Sequence, residues 1–196
     1  MAKLILLRHL QSEWNKENKF TGWTDVALSK EGIDSAKEVA EKLKGINIDL
    51  VYTSPLIRNR ETVSLILENL NKKELPIVIN KALDERNYGK LQGLNKDEVK
   101  KEYGEEQVQL WRRGWDNAPP EGESLKDVYN RAVLFFKNNI EKDLKQEKNV
   151  LIVASHNSLR ALVKYIEKIS DQDIINREIP AGGIIIYDLD ENLNIK

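Results

Sequence analysis

The chain has 196 residues, 32% of them charged, with 31 Lys and Arg against 32 Asp and Glu. That length suits one substantial core, so a single domain over residues 1–196 is expected, and the balanced charge carries no footprint for nucleic acid or a membrane surface. No cysteine is present and only two histidines, without paired-ligand spacing, which excludes disulfides and argues against a metal site.

Leu4–Leu7 is a continuous apolar run, as in a strand buried on both faces. The five apolar residues after Met-Ala-Lys are too few for a signal peptide, and no apolar run approaches a membrane span, so a cytoplasmic location is expected. Glu31–Leu43 carries Ile33, Ala36, Ala40 and Leu43 at helical spacing, and Gly45 stops it. Leu50–Thr53 is a second strand, and Arg58–Leu70 places Val63, Ile66, Leu67 and Leu70 on one helical face. Ile77–Ile79, after Pro76, is a third strand, and Lys96–Glu102 a short helix. Asn117–Gly122 is a loop. Ser124–Leu144 is the longest predicted helix, opened by a Ser124/Asp127 capping box, with Val128, Ala132, Phe135, Phe136 and Ile140 inward. Val150–Ala154 is a buried strand, Ser158–Ile166 a helix and Ile184–Leu189 a last strand. Strands alternating with helices predict an α/β fold of three αβα layers, a mostly parallel sheet with helices on both faces.

Both histidines end strand-like runs: His9 closes Lys-Leu-Ile-Leu-Leu-Arg-His, and His156 closes Asn-Val-Leu-Ile-Val-Ala-Ser-His. In open α/β sheets, ligands collect at the carboxyl ends of strands. The pair therefore points to a histidine nucleophile with a histidine partner, against the plainer alternative of two ordinary polar residues at strand ends. A neutral imidazole, with an ordinary pKa near ~6.5, is a competent nucleophile at neutral pH. Arg8 beside it could grip phosphate oxygens bidentately. Arg58 opens a helix, where a cation opposes the dipole unless an anion sits there; Arg60 reads as solvent-facing. Glu85, with Asp84 as competitor, offers a carboxyl that a closed pocket could tune upward for acid–base work. Arg112 and Arg113 between Trp111 and Trp115 form a basic aromatic patch, suited to a carboxylate or second phosphate, or else an exposed amphipathic turn. His156-Asn157-Ser158 opens a helix whose backbone N–H groups suit a phosphoryl group. Two histidines, two arginines and a carboxylate, without a metal site, fit phosphoryl transfer through phosphohistidine.

These residues resemble the histidine phosphatase superfamily and, more closely, its 2,3-bisphosphoglycerate-dependent phosphoglycerate mutases. The resemblance rests on Arg8-His9, Gln11–Asn15, Phe20-Thr21-Gly22-Trp23, Thr53 to Arg58, Glu85 to Lys96, Trp111-Arg112-Arg113, Gly122 to Asp127 and Asn157 to Leu162. It spans about Lys3 to Asp190, and the short link from Arg113 to Gly122 is similar to the short-form mutases. It implies that His9 is the phosphorylated nucleophile, that Arg8 and Arg58 clamp the phosphoryl group, that Glu85 moves the hydroxyl proton and that His156 stabilises the transferring group. Asn15, Thr21, Gly22, Arg86, Tyr88, Lys96, Arg112, Arg113 and Asn157 would hold the substrate. The implied substrates are small phosphorylated three-carbon acids, 3-phosphoglycerate and 2-phosphoglycerate, interconverted in glycolysis and gluconeogenesis. 2,3-bisphosphoglycerate would prime His9, no metal is implied, and the family's habit implies a homodimer or homotetramer.

Three departures from the family pattern stand out. Leu10 replaces a glycine after the histidine, where a side chain could crowd the phosphate. The glycine after the second histidine is absent, so either Ser155 or His156 falls on the usual histidine position, and a displacement of about 1 Å can slow a reaction about a hundredfold. The chain also stops at Lys196, where relatives continue into a tail over the site. Together they predict a weaker mutase with more phosphatase side activity. The alternatives are a histidine phosphatase of small phosphate esters and a catalytically impaired phosphate-binding homologue.

Overall fold

The computed structural model describes residues 1–196. Ala2–Arg8 (β1), Leu50–Thr53 (β2), Ile77–Ile79 (β3), Val150–Ala154 (β4) and Ile184–Leu189 (β5) form one sheet in the order β3-β2-β4-β1-β5. The first four are parallel to their neighbours, and β5 joins β1 antiparallel. Helices cover both faces, as the alternating pattern predicts, so β2 and β4 are buried throughout. β3 is short, lies at the edge, and leaves Ile77, Val78 and Ile79 exposed.

Between β1 and β2 the chain forms Glu13–Lys16 (α1), Lys30–Asp34 (α2) and Ala36–Glu41 (α3). The single helix predicted over Glu31–Leu43 is broken at Ser35, whose hydroxyl donates to the Gly32 carbonyl at 2.7 Å. A hydroxyl bonded back to the preceding turn competes with the helical ladder. Ile33 consequently faces solvent, while Ala36, Ala40 and Leu43 stay buried. Ile57–Asn69 (α4) follows β2.

After β3 come Lys96–Tyr103 (α5) and Glu105–Arg113 (α6), separated by Gly104 at φ 85°. Leu125–Phe135 (α7) carries the Ser124/Asp127 capping box and runs through a π-helical turn, Phe136–Ile140, into Glu141–Lys145 (α8). His156–Glu167 (α9) begins two residues earlier than the apolar spacing predicts. One face of the sheet packs against Val128, Ala132, Leu159 and Leu162 of α7 and α9, the other against Val39, Ala40, Val63 and Ile66 of α3 and α4. Phe20, Tyr88, Leu91, Val99, Val108 and Trp111 form a third, small core beneath α5 and α6. No helix is long and apolar enough to cross a membrane.

The insertion of β4 between β1 and β2 places the chemistry. Arg8 pairs with Ala154, and the His9 N–H donates to the Ala154 carbonyl at 3.1 Å. The residues that follow β1 and β4 therefore leave the sheet side by side.

Candidate active site

At that edge a polar cleft is lined by Arg8, His9, Asn15, Thr21, Gly22, Arg58, Glu85, Tyr88, Lys96, Arg112, Arg113 and His156, together with Lys19 and Phe20. Loops after β1, β2 and β4, the segment after β3, and the C-terminal end of α6 thus converge on one cavity. Six side chains are cationic by type (Arg8, Lys19, Arg58, Lys96, Arg112, Arg113), against one carboxylate, Glu85. Burial, then Arg112, Arg8 and Arg113, draws the Lys96 ammonium down to about 8. Cations that crowd one another with so little counter-charge make a site built for an anion.

His9 is buried, and its Nδ1 lies 2.6 Å from the Leu10 carbonyl. A carbonyl only accepts, so Nδ1 carries the proton and Nε2 keeps its lone pair. Burial, then the Arg58 and Arg8 guanidiniums, holds the imidazole well below 6.5, so it is neutral at physiological pH. Arg8 donates from Nη1 to the Ile179 carbonyl at 2.7 Å. Arg58 donates to the carbonyls of Gly22 and Thr24 at 2.8 and 3.1 Å. The Nε atoms of both arginines are buried without a partner in the protein. The anion expected at the start of α4 is a protein carboxylate: the Ile57 N–H donates to Asp25 at 2.6 Å. Gly22, at φ 57°, has no room for a side chain, because a Cβ would collide with Gln92.

Leu10 does not crowd this cleft. Its side chain is buried in the core with Leu28 and Val39 and reaches toward Gly182, while its N–H donates to Thr62 Oγ1 at 3.1 Å. The expectation of an obstructed phosphate fails because the side chain packs into the core and does not line the cavity.

Glu85 is buried, and its Oε1 accepts from the backbone N–H groups of Arg86 at 2.7 Å and Asn157 at 3.1 Å. Burial, the largest influence, pushes its carboxyl up. The Arg86 N–H and the Arg58 and Arg8 guanidiniums act against burial, and the carboxyl sits below 4.5. The upward tuning predicted from sequence is therefore reversed in the free protein. The Asn157 contact takes one of the N–H groups expected to meet a phosphoryl group: that of Asn157, in the first turn of α9, serves Glu85. Asp84, raised to about 6 by burial, lies outside the cleft beside Lys81 and Arg131.

At the start of α9 the structure places the His156 imidazole in the cleft, while Ser155 turns its hydroxyl inward to accept from Asn59 at 3.2 Å. His156 Nε2 lies 3.0 Å from Glu178, and Arg113 Nη1 lies 3.3 Å from His156 Nδ1. Arg113 also pairs with Glu178. Burial, opposed by Glu178, draws His156 down to about 3. It is neutral, with Nε2–H donating to the carboxylate.

Two residues expected to hold substrate lie beneath the cleft instead. Arg86 is fully buried and donates to the Trp111 carbonyl and to Asn157 Oδ1. Asn157 donates to the Tyr88 hydroxyl at 3.1 Å and accepts from Arg160 at 3.0 Å. They brace Glu85, Tyr88 and α6 from below. Sequence reasoning missed Lys19 and Phe20, which adjoin the Thr21-Gly22 loop, and Glu178. The first two could have been found from their place in that loop. Glu178, in Asn-Arg-Glu-Ile-Pro, carried no local signal.

A neutral, tautomer-fixed histidine beside a carboxylate and two arginines whose Nε atoms are buried without partners defines a phosphate-handling α/β enzyme. The chain belongs to the histidine phosphatase superfamily (branch 1), whose profile matches residues 4–194. It is 44% identical over 220 residues to the 2,3-bisphosphoglycerate-dependent phosphoglycerate mutase of Treponema denticola, covering 98% of this chain and 89% of that protein. It is 46% identical over 194 residues to the protein of the same name from Bradyrhizobium diazoefficiens, covering 98% and 94%. Among solved structures it resembles a mycobacterial hydrolase, with a TM-score of 0.86 at 22% identity over 99% of this chain and 93% of the other. It also resembles a mycobacterial glucosyl-3-phosphoglycerate phosphatase, with a TM-score of 0.84 at 22% identity over 97% and 91%. At that identity the two structures speak for the fold alone.

Proposed function

We propose that this protein is a 2,3-bisphosphoglycerate-dependent phosphoglycerate mutase that interconverts 3-phosphoglycerate and 2-phosphoglycerate through phospho-His9. The observation that carries this reading is the His9 corner: a free Nε2 lone pair between Arg8 and Arg58, whose Nε atoms lack partners. Whole-chain similarity to the Treponema and Bradyrhizobium mutases supports the substrate.

The cofactor fits these residues. Two buried guanidinium Nε atoms without partners, plus Lys19, Lys96, Arg112 and Arg113, provide charge for two phosphates and a carboxylate. Bound 2,3-bisphosphoglycerate supplies the phosphoryl group that primes His9. Nε2 of His9 forms the new bond to phosphorus as the bond to the departing oxygen breaks, and Arg8 and Arg58 stabilise the charge on the equatorial oxygens. Glu85 gives a proton to the departing hydroxyl and takes one from an attacking hydroxyl. Phosphoryl charge against Arg8 and Arg58 cancels the field that holds the Glu85 carboxyl down, so a bound substrate raises its pKa and lets it carry the proton it gives to the departing oxygen. Tyr88, Lys96, Arg112 and Arg113 hold the rest of the substrate, and Arg86 and Asn157 act as positioning residues.

The open edge at β3 supports a homodimer. Antiparallel pairing with a second copy would satisfy its free N–H and C=O groups and cover Ile77, Val78 and Ile79. Sedimentation of Val78→Lys should show a monomer where the parent chain is a dimer.

Mixing the protein with 2,3-bisphosphoglycerate, quenching in alkali and mapping the adduct by tandem mass spectrometry tests the chemistry. A phosphoryl group on His9 is the expected result. Its absence, or its presence on His156, contradicts the assignment.

A further inference from the structure

We propose that Glu178 is a specificity-determining residue of this cleft: its carboxylate stands in for the second anionic group of a bis-anionic ligand, engaging Arg113 and His156 until such a ligand displaces it. The inference deepens the phosphotransfer reading and rests on it.

Glu178 sits in the loop between α9 and β5, with its side chain 54% exposed. One carboxylate oxygen pairs with Arg113, the other accepts from His156 Nε2 at 3.0 Å, and Arg113 closes the ring on His156 Nδ1 at 3.3 Å. Both nitrogens of His156 are occupied. A phosphoryl group beside His9 meets Arg8 and Arg58, but the only N–H of His156 is already given away. Recruiting that N–H requires Glu178 to leave.

Departure regains carboxylate hydration but strands Arg113, whose side chain is only 13% exposed. A ligand with a second carboxylate or phosphate restores a partner for that guanidinium, whereas a simple phosphomonoester offers none. The barrier to opening therefore falls mainly on esters with a single anionic group, and unwanted hydrolysis of small phosphate esters is suppressed. The neighbouring Ile179 carbonyl accepts from Arg8, which ties the loop carrying Glu178 to the phosphate clamp.

The test compares the parent protein with Glu178→Gln and Glu178→Ala, checked by circular dichroism for folding. kcat/KM is measured for p-nitrophenyl phosphate and 3-phosphoglycerate, and affinity for inorganic phosphate by calorimetry. If the competent state is about a tenth of the free protein, Glu178→Ala raises p-nitrophenyl phosphate turnover about tenfold, with Gln between. The ratio favouring 3-phosphoglycerate falls correspondingly, and inorganic phosphate binds more tightly. If p-nitrophenyl phosphate turnover falls or is unchanged and phosphate affinity is unmoved, Glu178 merely props His156 and the proposal is overturned. A parent protein inert to 3-phosphoglycerate would sink the mutase reading, yet the phosphate arm would still decide the role of Glu178.

Discussion

His9 and His156 stand at the ends of neighbouring parallel strands, both buried and both neutral, yet their surroundings prepare them differently. His9 uses one nitrogen on the carbonyl of the next residue and leaves the other free. His156 has both nitrogens engaged, by Arg113 and Glu178. Similar strand-end placement thus leaves a free ring nitrogen at one corner and a fully engaged ring at the other. The deciding factor is which partner each ring nitrogen finds.

The sharpest way to break this contrast is to remove each imidazole. His9→Ala should lower kcat by roughly 10⁴- to 10⁶-fold, the scale of losing a nucleophile. His156→Ala should lower it by about 10²- to 10³-fold, the scale of losing one stabilising donor. Equal losses in steady-state assays would mean that the two corners are not distinct in role.

Leu10 tests whether the His9 corner depends on a small neighbour. Leu10→Gly should destabilise the protein by about 4 kcal/mol, because a buried side chain leaves a cavity and glycine loosens the unfolded chain. Turnover per folded molecule should stay within about threefold. A large gain in kcat with unchanged melting would mean that Leu10 does obstruct the cleft.

The smallest effect is in pH. Both histidines titrate well below 6.5 when folded and near 6.5 when unfolded, so each binds a proton in the unfolded state first as pH falls. Asp84, raised to about 6, opposes them by binding its proton earlier in the folded state. Near pH 5 the unfolded chain therefore holds two extra histidine protons and lacks one at Asp84. Stability should fall on acidification by about 1.4 kcal/mol per pH unit, full above pH 6.5 and declining below it. Denaturant melts of the parent and of Asp84→Asn check this: the variant should decline about twice as steeply near pH 5. An unchanged slope would contradict the burial assigned to these groups.

Much of this architecture is legible in the chain. Leu4–Leu7 and Val150–Ala154 are apolar on both faces because helices flank both, and that pattern alone predicts a parallel sheet with the histidines at its edge. The residues Arg8, Arg58 and Glu85 carry their types for the site openly. What the chain hides is long-range. Helix α6 reads as a basic patch because only Val108 and Trp111 are buried, in a satellite core assembled from four segments. Arg86 and Asn157 look like ligand contacts but turn beneath the cleft, since their partners are other buried polar groups. The depressed Glu85 carboxyl depends on two backbone N–H groups and distant arginines, which no local motif records.

The central claim is that the His9 corner transfers phosphate between hydroxyls rather than to water. A phosphorus NMR time course with 3-phosphoglycerate and catalytic 2,3-bisphosphoglycerate tests it directly. The account requires the 2-phosphoglycerate resonance to grow without matching inorganic phosphate. Inorganic phosphate accumulating without 2-phosphoglycerate would contradict it and make the protein a phosphatase.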